Sequence, residues 1–294
     1  MSSASYAFGI EPYRLRVTRY ALTPPQWAGG PSLRAALIAD VHACEPWMGL
    51  DRVRHMVETV NGLEPDIILL LGDYEARHRF VKAVIPPRLW AGALARLKAP
   101  LGVHAILGNH DWWDDPVAQM TGQGPVEARR AMEAAGLPVY ENEAVRLVKD
   151  GRPFWLLGLG DQIALRRAGN GVARSRFLGK DDLPGTLAKV TDGAPVLLMA
   201  HEPDIFTQVP ARVAVTLSGH THGGQMRILG YSPVVPSRYG NRFAYGHVVE
   251  RREGDAHPRH LIVSGGLGCS IIPMRFGVTP EVVLLALGGP AVSS

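Results

Sequence analysis

Apolar and polar positions fall into blocks along this chain. Residues 13–20 alternate apolar and basic, the period of a half-exposed strand, and Pro24, Pro25, Gly29, Gly30 and Pro31 then make a loop. Leu33 to Ala39 is a mostly apolar segment that predicts a buried strand, and Asp40 stands at its end. Residues 51–61 place Val53, Met56, Val57 and Val60 at helical spacing, with Asp51 as the expected N-cap and Gly62 as the stop. Ile67 to Leu71 is a second buried run and ends at Gly72-Asp73. Residues 89–97 predict a helix. Residues 102–107 predict a third strand that delivers Gly108-Asn109-His110-Asp111. This alternation of strand and helix implies parallel pairing with right-handed crossovers. A further helix is expected over 126–135. The second half is richer in strand, over 145–148, 154–159, 196–200, 213–218, 245–249, 261–264 and 282–287. Two of these strands end at His201 and at Gly219-His220. The pattern predicts an α/β domain over 31–290, with two packed sheets and helices outside, preceded by an arm with one strand over 1–30. In open α/β sheets ligands bind beyond the carboxyl ends of the strands, where these polar residues fall.

Composition adds limits. With 294 residues, 46% hydrophobic and 20% charged, the chain has the balance of an ordinary globular protein that needs no disulfide framework. Its two cysteines, Cys44 and Cys269, read as small buried hydrophobes. A net charge of +4 is too weak to point to nucleic acid, so no specific nucleic-acid partner is expected. No apolar run approaches the ~18 residues needed to span a bilayer. The N-terminus has no cationic stretch followed by an apolar one, so it does not read as an intact signal peptide. The compartment stays open between cytoplasm and, where an export or anchor segment has been removed, periplasm or membrane. The oligomeric state is not legible. Three stretches read as insertions over the polar strand ends: 75–90, 112–125, and 162–180 with Arg166, Arg167, Arg174, Arg176 and Lys180. The last of these would suit peripheral contact with an anionic membrane surface.

The polar residues at the strand ends are imidazoles, carboxylates and one amide. Asp40, His42 and His222 can hold one metal, and Asn109, His201 and His220 a second, with Asp73 bridging the two. Mixed imidazole and carboxylate ligation suits Mn, Zn, Fe or Co. Two divalent ions at such a site leave it positive, so it attracts a phosphate ester. They also make a bridging hydroxide available as nucleophile near neutral pH. His110 follows a ligand and is placed to stabilise the phosphoryl group or protonate the leaving oxygen, with Asp111 expected to hold its tautomer. Trp112 and Trp113, with Ile271, Ile272 and Met274, are candidates for an apolar wall. Arg238 and Arg275 are candidates for holding a substrate phosphate.

The order Asp40-x-His42, Gly72-Asp73, Gly108-Asn109-His110-Asp111, His201, Gly219-His220-x-His222 resembles the calcineurin-like metallophosphoesterase superfamily, over about residues 33 to 287. Gly219-His220-Thr221-His222-Gly223-Gly224-Gln225, Pro236-Ser237-Arg238-Tyr239-Gly240 and Gly266-Leu267-Gly268 are similar to its YkuE-like bacterial branch. The resemblance implies a four-layer α/β/β/α sandwich of two mixed sheets flanked by helices. It also implies two divalent ions on the ligands just named and a phosphodiesterase or phosphatase activity. Two alternatives stand beside it: a pyrophosphatase of a lipid-linked nucleotide such as UDP-2,3-diacylglucosamine, and a non-catalytic binding module on the same fold. The sequence departs from the usual Gly-Asp-x-x-Asp at Ala76, and carries Glu202 where this branch often has Asn.

Overall fold

The computed structural model describes residues 3–166 and 177–288. Arg167, Arg174 and Arg176 of the basic stretch lie outside the described residues. Strands are numbered along the chain. The first sheet contains β1 (Arg16–Leu22), β2 (Leu33–Ile38), β4 (Ile67–Leu70), β6 (Val103–Ala105) and β15 (Glu281–Leu287), in the order β1-β15-β2-β4-β6. The second contains β7 (Glu143–Lys149), β8 (Arg152–Gly158), β11 (Val196–Met199), β12 (Val213–Ser218), β13 (Gly246–Glu250) and β14 (Arg259–Val263), in the order β13-β14-β12-β11-β8-β7. Two short pairs complete the set, β3 (Cys44–Glu45) with β5 (Ala83–Val84) and β9 (Leu165–Arg166) with β10 (Phe177–Leu178).

Both sheets are mixed. β2, β4 and β6 run parallel, while β15 is antiparallel to β2. β8, β11, β12 and β14 run parallel, while β7 and β13 are antiparallel at the edges. The strand of the N-terminal arm becomes an edge of the first sheet, paired with β15.

Alternation along each strand builds the layers, because successive side chains point to opposite faces. Ala35, Leu37, Ile67, Leu69, Phe154, Leu156, Leu197 and Met199 point between the sheets. Ala36, Ile38, Ile68 and Leu70 point outward, against Val53, Met56 and Val57 of the helix Leu50–Gly62 and Trp90 and Leu94 of the helix Pro87–Leu94. Leu157, Val196 and Leu198 point outward on the other side, against Leu183, Ile205 and Phe206. Each fully buried side chain of this size contributes about 1.5–3 kcal/mol. The result is the four-layer sandwich.

Two details differ from the sequence reading. The helix at 50–62 starts one residue earlier than expected, so Gly49 rather than Asp51 takes the N-cap position. Trp112 does not line a substrate wall: it is buried with Ala118, Val126 and Met132 in the outer core. Its position in the short helix Asn109–Trp113 turns it towards the helix Glu127–Ala134, whose apolar face needs a partner.

Candidate metal centre

Each candidate ligand stands just past the carboxyl end of a parallel strand. Asp40 and His42 follow β2, Asp73 follows β4, and Asn109 follows β6. His201 follows β11, and His220 and His222 follow β12. The chain turns sharply at these points. Asp40, His42, Asp73, His220 and His222 all have φ between +47 and +67°, the left-handed region that L residues avoid. Backbone strain of this kind gathers where the surroundings over-determine a functional geometry. Two glycines let the loops meet. Gly72 has φ +95°, and a Cβ there would lie 2.5 Å from the Gly108 nitrogen. A Cβ on Gly108 would lie 2.4 Å from Asp73 Oδ1 and 2.7 Å from His201 Nε2.

The seven residues converge. One ligand atom from each of Asp40, His42 and His222 falls within 4.8 Å of the others, as does one from each of Asp73, His201 and His220. Asp73 Oδ2 faces both sets, 3.5 Å from His42 Nε2 and 3.3 Å from His201 Nε2. His222 Nε2 lies 3.4 Å from Asp40 Oδ1, and Asn109 Oδ1 lies 2.7 Å from His220 Nδ1. The far side of two of the rings is fixed by the backbone. His42 Nδ1–H donates to the Glu75 carbonyl at 3.0 Å, and His201 Nδ1–H to the Leu71 carbonyl at 2.6 Å. This leaves the Nε2 lone pairs aimed inward.

The electrostatics fit a pair of cations. Burial pushes His42 down to about 4, and pushes His222 well below its usual range with help from His42 and Arg275. Both rings are therefore uncharged at neutral pH, each keeping one N–H and one lone pair. Their Nε2 atoms are 3.1 Å apart, close enough for one cation to face both or for one ring to donate to the other. His201 Nε2 is buried with no hydrogen-bond partner. Burial also raises Asp40 to about 7. Asp73 goes the other way: burial raises it, but the facing His201 and His110 hold it well below the carboxylate range. Two divalent ions of the borderline class suit this donor set.

The remaining candidates are placed as follows. His110 sits at the rim, its ring 5.0 Å edge-on to His42, its Nδ1 3.5 Å from Asp114 Oδ2 and its Nε2 3.3 Å from Ser270 Oγ. Asp111 does not orient it. As the third residue of the helix Asn109–Trp113, Asp111 points back to the helix start, where its carboxylate accepts from the nitrogens of Gly108 (2.8 Å), Asp73 (2.9 Å) and Tyr74 (2.9 Å). Asp114, one turn on from His110, takes the orienting place. Trp113 is half-buried, its ring 5.4 Å from His110, stacked on Phe177 at 5.1 Å and covered by the Arg166 guanidinium. Arg275 cannot reach a substrate phosphate. It is wholly buried, donating to the carbonyls of Gly265, Gly268 and Val278, with Nη2 3.2 Å from His222 Nδ1. It holds the loop 265–278 behind a candidate ligand. Arg238 is exposed and pairs with Asp204 at 3.6 Å. Cys44 and Cys269 are free and buried, as expected. Asp114 and Ser270 were missed by the sequence reading; only the i, i+4 spacing of His110 and Asp114 could have flagged the first.

Known proteins share this pattern. The sequence profile described as calcineurin-like phosphoesterase matches residues 33–224. The chain is 29% identical to the uncharacterized metallophosphoesterase YkuE of Bacillus subtilis (strain 168), over 96% of this chain and 88% of that protein. It is 28% identical to an uncharacterized metallophosphoesterase of Aquifex aeolicus, over 95% of this chain and 94% of that protein. A dimetal phosphatase from Danio rerio superposes with a TM-score of 0.44 at 14% identity, covering 81% of this chain and 88% of that one. Strand-end ligands, two mixed sheets and a profile match over most of the chain lead to one conclusion: this chain belongs to the calcineurin-like phosphoesterase family and is a metal-dependent phosphoric ester hydrolase.

Proposed function

We propose that this protein hydrolyses phosphodiesters, with Asp40, His42 and His222 holding one divalent ion and Asn109, His201 and His220 the other. Asp73 lies between them. The observation that carries the reading is the single Asp73 oxygen facing both His42 and His201. Two ions held there supply Lewis acidity and a nucleophilic water at neutral pH. The protein's own share is positioning. The backbone carbonyls of Glu75 and Leu71 fix the His42 and His201 rings before substrate arrives. His110 stands over the mouth with Asp114 behind it. Burial lowers its affinity for a proton, but Asp73 and Asp114 raise it further, so the ring is placed to donate a proton to a leaving oxygen. Trp113, Phe177 and Arg166 form a flat face beside it that suits the second ester group of a diester.

The test compares bis(p-nitrophenyl) phosphate with p-nitrophenyl phosphate, using Mn-reconstituted protein and Asp73→Asn as control. The expected result is metal-dependent turnover that favours the diester and is nearly abolished by Asp73→Asn. A preference for the monoester would overturn the diester assignment. No turnover of either, with no metal retained, would leave a non-catalytic binding module. Exposed Ile271 and Ile272, next to Ser270, favour an amphiphilic ester as natural substrate, the class to which a lipid-linked pyrophosphate belongs.

A further inference from the structure

Large apolar side chains stand in solvent on two loops beside the mouth of the metal centre. The first loop follows His222 and exposes Ile228, Leu229, Tyr231 and Val234. The second follows Ser270 and exposes Ile271 and Ile272. The two are tied together. The Gln225 amide donates to the carbonyls of Ile272 (2.7 Å) and Met274 (2.9 Å) and accepts from the Ser270 nitrogen (2.8 Å). The Arg227 nitrogen donates to the Phe276 carbonyl at 2.7 Å. The helix Ser3–Gly9 joins the same edge, with Tyr6 edge-on to Phe276 at 6.4 Å and Phe8 exposed.

Leu229 is the telling residue. Ile228 and Tyr231 exchange backbone hydrogen bonds of 2.9 Å around Leu229-Gly230. Leu229 has φ +49° and Gly230 φ +83°, a tight turn in which both central residues are left-handed and Asn-Gly is the favoured pair. Leucine there strains the backbone. Its side chain is 102% exposed, so no contact within the fold offsets that strain. The site therefore presents an apolar side chain outward at a cost to the fold.

Charge narrows the partner. Neither Asp nor Glu occurs between Asp204 and Glu250, or between Asp255 and Glu281. Both loops lie inside these acid-free spans, and Arg227, Arg238 and Arg242 lie in the first. Arg238 and Arg242 pair with Asp204 and Glu250, which leaves Arg227 as the cation within the first loop. A projecting tip of Ile, Leu, Tyr and Val with an arginine in its own loop and no acid in either loop suits the headgroup–acyl boundary of an anionic bilayer. A flat protein partner would meet the tip, not a face.

We propose that the loops 226–234 and 270–274 dock this protein on an anionic lipid surface, with Leu229 and Ile271 inserted and the mouth of the metal centre turned to the headgroups. This surface would act whether or not the site turns over diesters.

The test is sedimentation of the full chain with vesicles of phosphatidylglycerol and phosphatidylcholine in equal parts, against phosphatidylcholine alone. Wild type should bind the anionic vesicles, and Leu229→Asn and Ile271→Gln should each weaken binding about tenfold or more. Leu229→Asn should keep full activity on soluble bis(p-nitrophenyl) phosphate. Leu229→Asn should also melt higher than wild type, because Asn tolerates the left-handed turn; a merely structural Leu229 would give the opposite shift. Failure of wild type to bind, or unchanged binding by both variants, overturns the proposal. So does a concentration-dependent dimer that Leu229→Asn dissociates, which would assign the surface to a protein contact. Vesicle binding by a protein inactive on diesters supports the docking surface and overturns the diester reading.

Discussion

Asp111 and Asp114 lie three residues apart and do different work. Asp111 accepts three buried backbone N–H groups from two ligand loops. Asp111→Ala should leave them unpaired and cost about 3 kcal/mol or more, read as a lowered urea midpoint. His110→Ala should leave the urea midpoint and metal content unchanged while kcat falls about 100-fold or more. Asp114→Ala should lower kcat by about tenfold through the loss of ring orientation. Loss of metal in His110→Ala would contradict its place at the rim. The candidate ligands stood out in the sequence because most of their motifs follow an apolar run that reads as a buried strand. Asp111 was misassigned because adjacency along the chain says nothing about direction: the third residue of a helix points back to its start. Ser270 was not legible, since only the fold brings residue 270 to residue 110.

Elements with a long period were legible and short ones were not. The buried strands β2, β4, β11 and β12 showed as apolar runs, and the helix Leu50–Gly62 as four apolar residues at helical spacing. The helices Ser3–Gly9, Pro116–Thr121 and Leu183–Ala188 span fewer than three turns and leave too little pattern to see. One link between elements predicts a pH response. Asp192 precedes β11 and accepts from Trp155 Nε1 on β8 (2.7 Å), the Ala194 nitrogen (3.0 Å) and Arg146 Nε on β7 (2.9 Å). The Trp155 hydrogen bond first, then those of Ala194 and Arg146, hold its carboxyl down to about 2 against an ordinary 3.8. A lowered folded value means the stabilisation is full above about pH 4 and fades as pH falls through 2. Urea midpoints of wild type and Asp192→Asn should differ at pH 6 and converge near pH 2; a constant gap would show that the charge is not involved.

At the scale of the whole molecule the two sheets meet at the ligands. Asp40, His42, Asp73 and Asn109 come from the first sheet, and His201, His220 and His222 from the second. A cation bound by both halves stabilises the folded state by mass action. Chelation should therefore lower the melting temperature, and added Mn should restore it in proportion to the logarithm of its concentration. An unchanged melting temperature on chelation would remove the coupling. Among the described residues no helix is long and apolar enough to cross a membrane.

The division of ligands between the sheets also sets a schedule. A nascent chain that has emerged through residue 142 carries two aspartates, His42 and Asn109, but neither set of three. One set is completed by His220 and the other by His222, and the Arg275 that backs His222 comes 53 residues later. The chain therefore cannot sequester metal while it is half made. Metal bound on these two sets would be taken up late, after the ligand-bearing strands of both sheets have been made.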